Sequence, residues 1–136
     1  MKETTNITLQ KFHQAFKETT YYKNTFSDQA LDALYEYLLD YEQSIGEEIE
    51  LDVIELAGEF SELSYEDFWD TYLKNSYQKA VSKHETVIDP LTIGWQEWAK
   101  LLRNKNDEVI YYLPYPEDFF DTIVKVLDKT ILVHNP

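Results

Sequence analysis

Apolar residues recur with helical spacing between Ser27 and Gly46. Leu31, Leu34, Tyr35, Leu38, Tyr41 and Ile45 fall on one face of a helix of about 3.6 residues per turn. Ser27 stands where an N-cap belongs, and Asp28 follows in the first turn, where the helix dipole favours negative charge. Gly46 closes the pattern as a left-handed C-cap. The spacing predicts a helix with that face, Tyr35 and Tyr41 included, in the core.

The period then changes. Glu48-Ile49-Glu50-Leu51-Asp52-Val53 alternates polar and apolar, as a strand does with one wet and one buried face. Ile54 through Phe60 break the alternation. Either a bulge near Gly58 flips the faces or a short helix begins at Asp52; the continued, kinked strand is the favoured expectation.

Elsewhere the pattern is shorter. Ile7, Leu9, Phe12 and Phe16 leave helix and strand open, with Leu9, Phe12 and Phe16 tipping towards helix; Thr19-Thr20-Tyr21-Tyr22 is β-prone and Lys23-Asn24-Thr25 suits a turn. Ser64 reads as an N-cap with Asp67 in an approximate capping box, predicting a helix over 65–80 on Phe68, Trp69, Tyr72, Leu73 and Tyr77. Val87-Ile88 is a short strand or loop. Trp95, Trp98, Ala99 and Leu102 predict a short helix ending near Asn104. Glu108 to Leu113 is β-prone, and Pro116 opens a predicted helix packing Phe119, Phe120, Ile123, Val124 and Leu127 inward. Thr130-Ile131-Leu132-Val133 is a final strand after a turn at Asp128-Lys129. These elements follow no regular βα alternation. The expectation is one α+β domain over 1–136, a small antiparallel or mixed sheet packed with about four to five helices.

Charge sharpens this picture. The chain has 26 Asp and Glu against 12 Lys and Arg, a net charge of −14. Fifteen of the acids lie in residues 24–73, which contain no Lys or Arg, so the remaining 11 acids nearly balance the 12 bases. Asp28, Asp32, Glu36 and Asp40 repeat at i, i+4 along the predicted helix. Each such like-charge pair opposes the helix by roughly 0.2–0.5 kcal/mol. The bland interpretation of a charge run is a solvated, solubilising face. Fifty residues without a single base favour a surface kept for a positively charged partner.

Several classes are excluded or disfavoured. Phosphate is repelled, so nucleic acid is not the expected direct ligand. The absence of cysteine removes disulfides, thiol catalysis and Cys-ligated zinc. No apolar run approaches the ~20 residues of a membrane span, and Met1 to Asn6 lack a signal-peptide core, so a cytosolic protein is expected. His13, His84 and His134 show no metal-ligand spacing, and a surface or half-buried position is expected for each. There is no Gly-rich phosphate loop and no nucleophile elbow. Expected, therefore, are no catalytic residues, no metal and no cofactor. A metal-dependent hydrolase is the minority reading.

Residues 26–62 resemble a motif of small bacteriophage and mobile-element proteins. It is carried by Phe26-Ser27, Ala30-Leu31, Ala33-Leu34-Tyr35, Tyr37-Leu38, Glu42, Gly46-Glu47-Glu48-Ile49-Glu50-Leu51-Asp52-Val53-Ile54 and Glu59-Phe60-Ser61-Glu62. The resemblance covers about a quarter of the chain, names no chemistry and implies a viral or mobile-element origin, hence the host bacterial cytosol. By analogy of charge and setting it points to anti-CRISPR and antirestriction inhibitors that imitate DNA. The expected partner is a basic nucleic-acid-binding protein such as a CRISPR effector nuclease. The expected partner-binding residues are Asp28, Asp32, Glu36, Tyr37, Asp40, Glu47, Glu48, Glu50 and Asp52, then Glu55, Glu59 and Glu62. The alternative is a phage accessory protein or a homodimer held by its aromatics, without an inhibitory role.

Overall fold

The computed structural model describes residues 7–74, 90–104 and 122–135. The elements run α1 (Leu9–Lys17), α2 (Asp28–Ile45), α3 (Val53–Glu59), β1 (Phe60–Ser64), α4 (Tyr65–Phe68) continued by a π-helical turn (Trp69–Leu73), α5 (Pro90–Ile93), α6 (Trp95–Asn104), β2 (Ile123–Val126) and β3 (Thr130–His134). The strands form one antiparallel sheet in the order β1–β3–β2. The class is α+β, as the irregular succession of periods predicts. By internal packing the chain divides into two compact units, Met1–Glu62 with Leu132–Pro136, and Leu63–Ile131.

The first unit is built on α2. Ser27 caps it in extended backbone, its Oγ accepting from the Ala30 N–H at 3.1 Å, and Gly46 ends it at φ 72°. The Ala30, Leu31, Ala33, Leu34 and Leu38 side chains are buried. The stripe departs from the expected face at its C-terminal end: Tyr41 and Ile45 are exposed, and Glu42 is buried instead. Tyr35 is half-buried and donates its hydroxyl to the Ile7 carbonyl at 2.6 Å. Helix α1, capped by Thr8, buries Phe12 and Phe16; Phe12 meets Tyr35 and Phe16 meets Phe26 with ring centroids 5.4 and 5.6 Å apart.

The expected kinked strand over 48–60 is corrected. Only Glu50 makes a bridge, and the short helix α3 begins after Asp52, whose Oδ1 accepts from the Glu55 N–H at 3.1 Å. A side chain that satisfies an N-terminal donor favours the helix locally. The alternation still holds as burial: Ile49, Leu51 and Val53 are half-buried while Glu48, Glu50 and Asp52 are exposed. Asn135 closes the unit, its backbone N–H donating to the Glu59 carbonyl at 2.7 Å and its side-chain amide to the Gly58 carbonyl at 3.0 Å. Strand β1 was absent from the sequence expectation.

In the second unit Ser64 caps α4 as expected, accepting from the Asp67 N–H at 3.1 Å, and the helix widens into the π turn at Trp69. Phe68, Trp69, Leu73, Trp98, Ala99 and Leu102 are buried. The Arg103 guanidinium is used internally, donating to the Leu127 carbonyl at 2.5 Å and to the Tyr65 hydroxyl at 3.0 Å. Ile123 to Val126 form a strand, which corrects the expectation that Ile123 and Val124 extend a helix from Pro116. The β-branched run pairs with β3 across the Asp128-Lys129 turn, closed by the Leu127 N–H on the Thr130 carbonyl at 2.8 Å. The expectations for 75–80, Val87-Ile88, Glu108–Leu113 and the Pro116–Phe120 start of a helix lie outside the described residues.

The burial pattern makes a direct prediction. Leu34→Ala empties a fully buried position on α2 and is expected to cost about 2–5 kcal/mol in urea unfolding. Ile54→Ala, at a position 66% exposed, is expected to change stability by less than about 0.5 kcal/mol.

Candidate functional site

The four carboxylates of the i, i+4 row on α2, Asp28, Asp32, Glu36 and Asp40, are all exposed, yet they do not share one environment. α1 lies against the first two. His13 Nε2 is 2.6 Å from Asp32, His13 Nδ1 is 3.6 Å from Asp28, and Lys17 Nζ is 3.1 Å from Asp28. The Lys17 ammonium, by hydrogen bond and charge, holds the Asp28 carboxyl below its ordinary value of 3.8. Glu36 and Asp40 have no ion-pair partner among the described residues. Half the row is therefore answered within the chain and half is presented to solvent.

The remaining acids divide in the same way. Glu62, half-buried, accepts from the Ser27 N–H at 2.6 Å and from the Ser27 hydroxyl at 2.7 Å, so it fastens the start of α2. Asp52 caps α3. Glu47, Glu48, Glu50, Glu55 and Glu59 are exposed. Glu42, which the helical pattern did not single out, is buried and accepts from the Ile49 N–H at 3.1 Å, ordering the chain after Gly46.

A cavity of about 650 Å³ opens within the first unit, between the C-terminal half of α2, residues 49–52, α3 and the end of β3. Leu38, Ile49, Leu51 and Leu56 give it apolar surface. Its aromatic wall is Tyr37, Tyr41, Phe60 and His134. Tyr37 stands edge-on to Phe60 at 5.6 Å, and the His134 ring stacks on Phe60 at 4.6 Å with 14° between planes. Glu50, Asp52, Glu55 and Glu59 supply carboxylates. Glu59, one turn after Glu55, pushes the Glu55 carboxyl above its ordinary 4.5 through a shared hydrogen bond and like charge, with Asp52 adding repulsion.

No family model, no curated protein and no solved structure matches this chain.

The cavity gathers five of the expected partner-binding residues, Tyr37, Glu50, Asp52, Glu55 and Glu59, and leaves out the α2 row and Glu47, Glu48 and Glu62. Sequence reasoning missed His134 and Tyr41. His134 had no neighbouring signal, and its place follows only from pairing of β3 with β1. Tyr41 was assigned to the core; it is 48% exposed because the buried stripe runs through Leu38 to Glu42. Among the described residues, no three His, Asp or Glu side chains are grouped to hold a metal ion, and no helix is long and apolar enough to cross a membrane.

Two pH effects follow. Asp28 has a lowered folded-state pKa, so its stabilising pairing is complete above the unfolded value of about 3.9 and is lost as pH falls through the folded value. Lys17→Met is therefore expected to lower the melting temperature at about pH 6, with a difference from the parent that narrows as pH falls below 3.8. Glu55 has a raised folded-state pKa, so its ionised form opposes folding above that value, and the opposition fades as pH falls through it. Glu55→Gln is expected to raise the melting temperature at neutral pH and to lose that advantage below about pH 4.

Proposed function

We propose that this protein is a non-catalytic acidic inhibitor that docks on the basic nucleic-acid-binding surface of another protein, such as a CRISPR effector or restriction nuclease, and excludes nucleic acid competitively. The observation that carries the reading is the set of exposed carboxylates in the first unit, Glu36, Asp40, Glu47, Glu48, Glu50, Glu55 and Glu59, in a segment without a lysine or arginine. A phage or mobile-element origin, implied by the resemblance of residues 26–62, fits a role against a host defence enzyme.

Duplex DNA presents one negative charge per ~1.7 Å of axis. Carboxylates one helical turn apart repeat at about 6 Å, and the exposed acids after Gly46 add to the negative charge of the same unit. A basic groove that neutralises such a surface releases counterions, so binding weakens steeply as salt rises. Asp28 and Asp32 contribute less than Glu36 and Asp40, because His13 and Lys17 already answer them.

The test is competition with DNA for a purified CRISPR effector nuclease and a restriction nuclease across a salt gradient. Glu36→Lys with Asp40→Lys, at positions free of internal ion pairing among the described residues, is expected to weaken inhibition at least tenfold at low salt while leaving the melting temperature close to that of the parent. Undiminished inhibition by the folded double variant would remove this surface from the mechanism.

A second reading, self-association, is favoured by the exposed apolar side chains Tyr41, Ile45 and Ile54. A dimer held by them persists at high salt in sedimentation, whereas capture of a basic partner fails there.

A further inference from the structure

We propose that the cavity of the first unit receives an arginine side chain presented by the partner protein, with Tyr37, Tyr41 and His134 flanking its guanidinium and Glu50, Glu55 and Glu59 as counter-charges. This rests on the reading above that the partner is basic. It adds a specific socket to a diffuse field.

The lining selects the class of ligand. A volume of about 650 Å³ lies within the usual range for ligand sites, ~300–1,000 Å³. Among the described residues no lysine or arginine lines it, so an anion finds four carboxylates and no permanent positive charge there. A bare metal ion finds no grouped ligand set among the described residues. What remains is a cation that also wants apolar and aromatic contact. A guanidinium meets that description better than an ammonium. It is weakly hydrated, stacks on aromatic faces and takes carboxylates two at a time, while its methylene stem covers apolar surface such as Leu38 and Leu56.

The titratable groups point the same way. Glu59 and Asp52 hold the Glu55 carboxyl above its ordinary range, so the lining itself opposes its ionisation. A cation seated among these groups reverses that effect. The other groups that face the space are Glu50, Tyr37, Tyr41 and His134. An ionised Glu55 attracts a guanidinium, so binding strengthens as pH rises through the raised Glu55 value.

The experiment titrates the full chain with N-acetyl-L-arginine methylamide and, in parallel, with the uncharged citrulline analogue, followed by ring and carboxyl NMR resonances. The expected result is saturable binding in the millimolar range. Shifts centre on Tyr37, Tyr41 and His134, the Glu55 titration moves to lower pH, and the citrulline analogue gives no response. Glu50→Gln and Glu55→Gln, both at exposed positions, are each expected to weaken binding about three- to fivefold. Non-saturating shifts, an equal response to citrulline, or unchanged affinity in both glutamine variants would overturn the socket. The Glu36→Lys, Asp40→Lys competition assay separates this from the broader reading. If that variant loses inhibition while the arginine titration is flat, the charged surface stands without the socket. If the titration succeeds while no nuclease is inhibited, the socket stands and the partner is of another kind.

Discussion

Burial of one stripe of α2 has to outweigh repulsion along the next. Leu31, Leu34 and Leu38 are buried, each contributing about 1.5–3 kcal/mol relative to exposure. Asp28, Asp32, Glu36 and Asp40 make three successive i, i+4 repulsions of roughly 0.2–0.5 kcal/mol each. The apolar term wins by a wide margin, and the caps at Ser27 and Gly46 add to it. The charge row is tolerated because the helix does not depend on its surface for stability. Helix α1 packs against it, with Phe12 meeting Tyr35.

Negative charge in this chain does several different jobs. Asp52 and Glu62 organise backbone, Glu42 is buried against the turn after α2, and Asp28 and Asp32 meet His13 and Lys17. Once these are set aside, a narrower group of carboxylates faces solvent. Net charge alone overstates that group, because it cannot distinguish a carboxylate that caps a helix from one that faces water.

Much of the fold was legible in sequence where two signals agreed. For α2, period, N-cap and C-cap coincided, and the helix runs between them as expected. For α6 and β3 a compact apolar pattern sufficed. The stretch 48–60 was not legible, because its alternation is a burial pattern that an extended loop satisfies as well as a strand, while the decisive signal was a single aspartate able to cap. Ile123 to Val126 failed for a related reason: a run of branched apolar residues suits strand or helix, and pairing with a distant strand decides. The cavity was half legible. Its acids announced themselves by number; its aromatic wall, Tyr41 and His134, needed the three-dimensional path of the chain.

The two hydrogen bonds between Ser27 and Glu62 join positions 35 residues apart. They fasten the two ends of the segment 27–62, which carries 12 of the chain's 26 acidic residues. A charged loop free at one end relaxes by splaying; one clamped at both ends cannot. The crowding of carboxylates around α3 is consequently a standing condition of the folded chain at neutral pH, relieved by protonation of Glu55 or by positive charge from outside.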